Sequence, residues 1–345
     1  MKSAREKVSV VIPTYNASVS IVDCLRSVVE QDYDGIYEIV IVDDGSKDDT
    51  VDKIKKLVSR LNLANPKIRL IAGSHKGPSA TRNIGIAATE GELVCFIDAD
   101  CKASPRWIDN ITRNLADQKV AGAGGAYRTL NIESAVARYV GYEIGHRHER
   151  IERNIDFVGT YSACFRKSVL AELGGFDESF LIAGSEDNDL SYRIRERGYV
   201  LVSEPLAWVW HKHPETVKEY AKQQFNRAIW RIFLYKKNPA WMRGDQYAGP
   251  KTLIQPVLWA IGAVAALVCW FFLGLIGPLL ALAITFSLLI FLNFDFLAFV
   301  HRREGSVSFL ALSLALRICV TMIWALGGMY GLLRLIIGPL KRKKR

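Results

Sequence analysis

Residues 95–101 read Cys95-Phe96-Ile97-Asp98-Ala99-Asp100-Cys101, the end of an apolar run that begins at Leu93. A short uninterrupted apolar run is the pattern of a strand buried on both faces. Such a strand should not close on two carboxylates unless the chain uses them. On an extended backbone residues i and i+2 point the same way, so Asp98 and Asp100 are expected to offer oxygen to one point. Two hard anionic ligands suit Mg²⁺ or Mn²⁺ carrying a phosphate. Solvated aspartates in a strand-to-loop turn are the plain alternative.

Upstream, Val8–Ile12, Glu38–Val42 and Ile68–Ala72 are β-rich runs, and Val19–Glu30, Thr50–Leu61 and Ala80–Ala88 have helical spacing. Strands alternating with helices predict an α/β domain built on a mostly parallel sheet with helices on both faces. Ligands of such sheets bind beyond the carboxyl ends of the strands. The polar clusters Thr14-Tyr15-Asn16, Asp43-Asp44-Gly45-Ser46, Gly73–Arg82 and Asp98-Ala99-Asp100 all fall there. Past Pro105 the pattern loosens. It gives a strand over Val120–Ala126, a charged helix over Ile132–Arg153, a strand over Val158–Arg166, a helix over Asp187–Arg197 stopped at Gly198, and a basic aromatic helix over Lys218–Lys237.

The last third differs in kind. Leu253–Leu275 is uncharged, Gly277–Val300 carries only Asp295, and Phe309–Leu340 carries Arg317 and Arg334. About 20 apolar residues cross a bilayer, so an α-helical transmembrane region of two or three helices is expected over 251–340. The third stretch either spans or lies in the interface with its arginines snorkelling. Residues 216–250 read as an interfacial region, 341–345 as a basic tail, and 1–215 as the soluble domain.

Charge follows the same division. The formal net charge is +10, yet residues 1–211 hold 27 Lys+Arg against 30 Asp+Glu, and the excess sits beside the apolar segments. That favours anionic lipid headgroups as the counter-surface and argues against nucleic acid. The six cysteines show no paired spacing and read as reduced thiols. No signal peptide is visible. A multi-pass protein of the cell membrane with its amino-terminal domain facing the cytoplasm is therefore expected.

Five blocks in order, V-S-V-V-I-P-T-Y-N (8–16), I-V-I-V-D-D-G-S (39–46), R-N-I-G (82–85), F-I-D-A-D (96–100) and G-S-E-D-N-D-L-S-Y-R (184–193), resemble the family-2 glycosyltransferases of the GT-A fold. The resemblance covers roughly residues 8–235. It implies inverting transfer from a nucleotide-sugar, with Mn²⁺ or Mg²⁺ as cofactor. By position it implies that Pro13, Tyr15 and Asp43 hold the base. An aromatic offers a π-face and an aspartate can accept an imide N–H. A loop aromatic and a turn aspartate are the bland alternatives. Arg82 matches a position near the nucleotide, or is a solvated helix arginine. Asp98 and Asp100 match the metal motif, and His211 lies where some relatives supply a further metal ligand, or is an interfacial histidine. Asp187 matches the catalytic base, with Glu186 as the alternative base and Asp189 structural.

Gln223–Trp230 resembles the Gln-x-x-Arg-Trp block of processive polysaccharide synthases, but Trp230 lies three residues after Arg227. Arg227 could contact the donor diphosphate. Most of this helix instead suits a membrane surface. The expected partners are a nucleotide-sugar (UDP-sugar first, GDP-sugar second), a lipid-linked acceptor and membrane lipids. A hydroxyl acceptor needs a base, which the Glu186-Asp187 pair supplies. A polyprenyl phosphate does not, so a polyprenyl-phosphate sugar synthase is the second reading. A nucleotide-sugar-sensing partner of a transporter is the third.

Overall fold

The computed structural model describes residues 6–33, 35, 37–61, 66–181 and 184–338. The predicted basic tail, Lys341–Arg345, lies outside the described residues.

Strands β1 (Val8–Thr14), β2 (Tyr37–Asp43), β3 (Lys67–Ala72), β4 (Leu93–Ile97), β5 (Cys101–Ala103), β6 (Val120–Thr129), β7 (Ser162–Arg166) and β8 (Val200–His211) form one sheet, ordered β3-β2-β1-β4-β7-β6-β8-β5. The block β3-β2-β1-β4 is parallel throughout. Beyond it the sheet becomes mixed: β7 runs antiparallel to β4 and β6, β5 antiparallel to β8, and β6 parallel to β8.

The period-2 alternation of the strands divides the core in two. Val10, Ile12, Cys95 and Ile97 face one side with Cys24 and Leu25 of α1 (Ile21–Val29), Ile54 of α2 (Thr50–Leu61) and Trp107 of α4 (Trp107–Thr112). Val11, Val94 and Phe96 face the other with Ile86 of α3 (Pro78–Ala88), Leu170 of α6 (Lys167–Glu172), and Leu190 and Ile194 of α7 (Glu186–Glu196). Each fully buried Val, Leu, Ile or Phe contributes about 1.5–3 kcal/mol, which explains why the sheet tolerates a run of acids only at its ends. Helix α3 lies so close to β1 that a Cβ on Gly85 would stand 2.4 Å from Val11 Cγ1.

The chain resolves into two compact units, residues 1–130 with 150–212, and residues 131–149 with 213–345. The second unit contains α5 (Ala135–His148), α8 (Val217–Lys237), α9 (Pro250–Leu273), α10 (Ile276–Leu292), α11 (Phe294–Glu304) and α12 (Val307–Ile337). Its buried cluster joins Tyr139 and Val140 of α5, Tyr220 of α8, Phe296 and Phe299 of α11, and Leu316 of α12. Helix α5 thus packs with the apolar helices, although the sequence pattern places it in the soluble domain.

Helices α9 and α12 are each long and apolar enough to cross a membrane. The segment that the sequence presents as one straight stretch, Gly277–Val300, is instead α10 and α11, bent by 61°. The break is at Asn293. Its amide donates to Leu289 O at 2.7 Å and Gln255 Oε1 at 3.0 Å, and its oxygen accepts from Arg317 Nε at 2.8 Å. Side-chain bonding of this kind inserted in a helix is a recognised cause of kinks.

Candidate active site

The parallel strands deliver their polar ends to one edge of the first unit. Thr14 and Asp43 are register partners at the ends of β1 and β2. The next residue, Tyr15, is 41 % exposed and its ring stacks on His75 at 4.4 Å between centroids. Pro13 lies half-buried just inside β1. Asp43 is buried, and its carboxylate accepts from Gly45 N (3.1 Å), Ser46 N (2.9 Å) and Ser46 Oγ (2.5 Å). Of the two roles open to Asp43, the geometry displays the turn aspartate. Asp44 accepts from Lys76 N at 2.7 Å and Gly77 N at 2.9 Å, so it shapes the loop that carries His75.

The two acids of the 98–100 triplet do not behave as an extended pair. Strand β4 stops at Ile97, and the chain closes a turn in which Cys101 N donates to Asp98 O at 3.0 Å. Their side chains meet different first partners, while each carboxylate still feels the charge of His211. Asp98 Oδ1 accepts from Arg82 Nη2 at 3.1 Å. Asp100 Oδ2 lies 3.4 Å from His211 Nε2. Burial pushes the Asp98 carboxyl up, opposed by Arg82 and aided by Asp100. Burial acts the same way on Asp100, but the hydrogen bond and charge of His211 outweigh it and hold that carboxyl low.

His211 reaches the site because β8 brings it opposite Cys101 in register. Ligand atoms of Asp100, Cys101 and His211 lie within 4.8 Å of one another. Burial raises the Cys101 thiol well above its ordinary value, so it stays protonated. The carboxylate and the imidazole are the competent donors of that group, and Mn²⁺ or Mg²⁺ chemistry fits the acid better than the thiol. A stacked pair, Tyr127 and Tyr161, stands beside His211, with the Tyr127 ring 4.9 Å from the imidazole.

Arg82 is the hub. It is buried, donating from Nη1 to Glu186 Oε1 at 2.9 Å and from Nη2 to Asp98. Glu186 is buried and also accepts from Gly184 N at 2.8 Å and Ser185 N at 3.1 Å. Its hydrogen-bonding capacity is largely used. Asp187, next in the first turn of α7, is only half-buried. Desolvation, then the charge of Glu186, push its carboxyl up to about 7, with Arg82 opposing. Asp189 is tied to Arg193 at 2.8 Å. Arg227 belongs to the second unit, where its charge bears on Glu143 and Tyr247.

Sequence reasoning misses His75, Cys101, Tyr127 and Tyr161. For His75 there is a weak signal, its position within the polar Gly73–Arg82 cluster. The tyrosines join across β6 and the loop before β7, and nothing local marks that contact.

The fold and the edge it builds define the class: an α/β domain of the GT-A type followed by apolar helices. The Glycosyl transferase family 2 profile matches residues 9–174, and the Glycosyl transferase family group 2 profile matches residues 93–332. The chain belongs to glycosyltransferase family 2. It is 28 % identical over 260 residues to the probable glycosyltransferase YdaM of Bacillus subtilis, covering 72 % of this chain and 57 % of that protein. It is 30 % identical over 206 residues to glycosyltransferase AglE of Haloferax volcanii, covering 58 % and 65 %. The chain thus spans about three fifths of these relatives. Among solved structures, the mannosyltransferase PcManGT from Pyrobaculum calidifontis, in complex with GDP-Man and Mn²⁺, superposes with a TM-score of 0.58 at 20 % identity, covering 96 % of this chain and 86 % of that one.

Proposed function

We propose that this protein is an inverting, metal-dependent glycosyltransferase of a membrane, moving a sugar from a nucleotide-sugar to a hydroxyl of a lipid-linked glycan or polysaccharide. The observation that carries the reading is Asp187. Of the acids at the α7 start it is the half-open one, its carboxyl is pushed up to about 7 by desolvation and then by Glu186, and no arginine salt bridge holds it. A general base serves best when its pKa lies near working pH. Desolvation first, then the charge of neighbouring Glu186 opposed by Arg82, sets that value, as expected where adjacent carboxyls have separate roles.

In the step, the Asp187 carboxylate takes the proton of the acceptor hydroxyl as its oxygen bonds to the anomeric carbon. The bond from that carbon to the diphosphate breaks, and the electron pair leaves with the nucleoside diphosphate. Tyr15 and His75 offer the base a stacking face. Pro13 and Asp43 shape the turn beneath that face. Asp100 and His211, with Asp98 alongside, would hold Mn²⁺ or Mg²⁺, which supplies neutralisation of the departing diphosphate. Asp98 is kept in place by Arg82. The complex of PcManGT with GDP-Man and Mn²⁺ supports a donor of this type, and AmsB of Erwinia amylovora, an amylovoran biosynthesis glycosyltransferase 31 % identical over 214 residues, supports a polysaccharide acceptor. A UDP-sugar is the first donor to try and a GDP-sugar the second. The apolar helices would anchor the enzyme, with the catalytic unit in the cytoplasm.

Asp187→Asn in the full-length enzyme tests the reading. Loss of a general base costs about 10²–10⁴-fold in kcat, with donor affinity retained. Near-full transfer to a polyprenyl phosphate by this variant would favour the phosphate acceptor instead.

A further inference from the structure

The third apolar helix, α12, meets its neighbours on different terms along its length. Its first half joins the base of the α9–α10 hairpin. Arg317 Nε donates to the Asn293 oxygen at the end of α10, and Thr321 Oγ1 donates at 3.4 Å to Gln255 Oε1 in the second turn of α9. Its second half runs alongside α8. Trp324 Nε1 donates to Gln224 Oε1 at 3.0 Å. A Cβ on Gly327 would stand 2.8 Å from Ala228 Cβ, and one on Gly331 would stand 3.1 Å from Ile232 Cβ. Contacts that advance together along both chains make the two helices parallel, and the glycines let their backbones approach.

The side of α12 turned away from α8 is apolar. Met322, Leu326, Met329, Leu333 and Ile336 are all exposed, and their spacing of four, three, four and three residues puts them on one stripe. At 3.6 residues per turn, Gly327 and Gly331 fall about half a turn away from that stripe. Helix α8, on the glycine side, carries Lys222, Arg227, Arg231, Lys236 and Lys237. Length and hydropathy allow α12 to span, but its charged partner does not. Were α12 to cross the bilayer, the parallel α8 would take Arg227 and the Arg231–Asp245 pair into hydrocarbon beside it, and ionic groups there are costly. With α12 lying flat, the stripe enters the hydrocarbon and α8 rides about 8–10 Å above it, at headgroup level. The exposed Lys222 and Lys236 then stand in a layer of phosphates.

We propose that α12 does not cross the bilayer but lies along one leaflet, with its 322–336 stripe against acyl chains and α8 in the headgroup layer. The α9–α10 hairpin is then the spanning part, and the α8–α12 pair is a platform on the membrane at the mouth of that hairpin. The proposal rests on the reading of the apolar helices as a membrane anchor.

The test is electron paramagnetic resonance of the full-length protein in nanodiscs of phosphatidylcholine and phosphatidylglycerol. Single nitroxides are placed by Met322→Cys, Met329→Cys or Ile336→Cys, in a background of Cys269→Ala and Cys319→Ala that leaves the four buried cysteines in place. Val257→Cys, Val264→Cys and Phe271→Cys, at exposed positions of α9, serve as the internal reference. Depth is read from collisions with oxygen against collisions with a water-soluble nickel chelate. The three α12 sites should lie at one shallow depth, whereas a crossing α12 would separate the outer two by about 21 Å. On α9, the Val264 site should be the deepest. A depth gradient along α12, or α12 nitroxides met by nickel and not by oxygen in lipid, overturns the proposal, and a deep Val264 site in the same series leaves the anchor standing. A Val264 site open to water refutes the anchor itself and the platform with it. Depth is read without turnover, so the transfer reaction decides neither outcome.

Discussion

Arg82 and the arginines around Tyr247 put the same side chain to opposite uses. Arg82 is buried between Glu186 and Asp98, one cation against two anions. Its charge is consumed internally, and what it yields is position: it fixes the loop before α7 and the end of β4 together. Around Tyr247, Arg147 and Arg231 lie 4.0 and 5.3 Å from the centre of one ring, and Arg231 also pairs with Asp245. There the guanidinium groups frame a ring at the approach to α9 and do not bridge two acids of distant elements. What an arginine is packed against, more than its presence, decides what it holds in place.

The largest effect expected on stability comes from removing the clamp. Arg82→Met leaves the buried Glu186 without its cation and frees Asp98. Breaking a buried pair by deleting one partner costs about 3–5 kcal/mol, so the full-length protein should show a clearly lowered Tm. Arg82→Met combined with Glu186→Met should recover part of the loss, because the uncompensated charge is then gone. Failure of the double variant to recover would mean that Arg82 acts through packing and Asp98 alone.

The two clusters are unequally legible in the amino-acid sequence. The ends of β1, β2 and β4 are readable because their runs are short, mostly β-branched or apolar, and buried on both faces. Pattern alone therefore puts Tyr15, Asp43 and Asp98 at one edge. The 98–101 turn is hidden, because the triplet has the spacing of a strand that continues. Strand β8 is hidden because Glu204 and Pro205 interrupt its pattern, and the ladder shifts register between Gly124 and Ala126 where it pairs with β6. Without β8, nothing local predicts that His211 stands opposite Cys101. The joint role of Arg82 is hidden for the same reason: its two acids lie 16 and 104 residues away. The break at Asn293 depends on Gln255 and Arg317, from two other helices, so the apolar run alone cannot show it.

A smaller effect follows from the charge that Arg82 only partly offsets. Asp187 has its carboxyl raised to about 7. An acid with a raised folded-state pKa gives stability that is fully present below its unfolded value and is lost as pH rises through the folded one. Catalysis has the opposite sign, since only the ionised carboxylate accepts a proton. In chelator and without substrate, the Tm of Asp187→Asn should therefore gain on that of the wild type as pH rises from about 5 to about 8. The wild type's kcat/KM should rise with pH up to about 7 and then level. Tm values that stay parallel across this range would show that Asp187 is already ionised in the free enzyme, and its assignment as a tuned base would fail.

The smallest effect should come from a clamp built on the surface. Arg197 and Glu172 form an ion pair at 2.8 Å, as close as the buried bonds of Arg82, but their side chains are 57 % and 39 % exposed. Water screens such a pair and the two long side chains lose freedom in holding it, so its contribution is about 0–1 kcal/mol. Arg197→Gln should move the Tm little, and added salt should erase what difference there is. Distance is nearly the same in the two clamps, so burial is the variable being tested. A loss from Arg197→Gln comparable to that from Arg82→Met would mean that geometry, and not exclusion from water, sets the worth of these arginines.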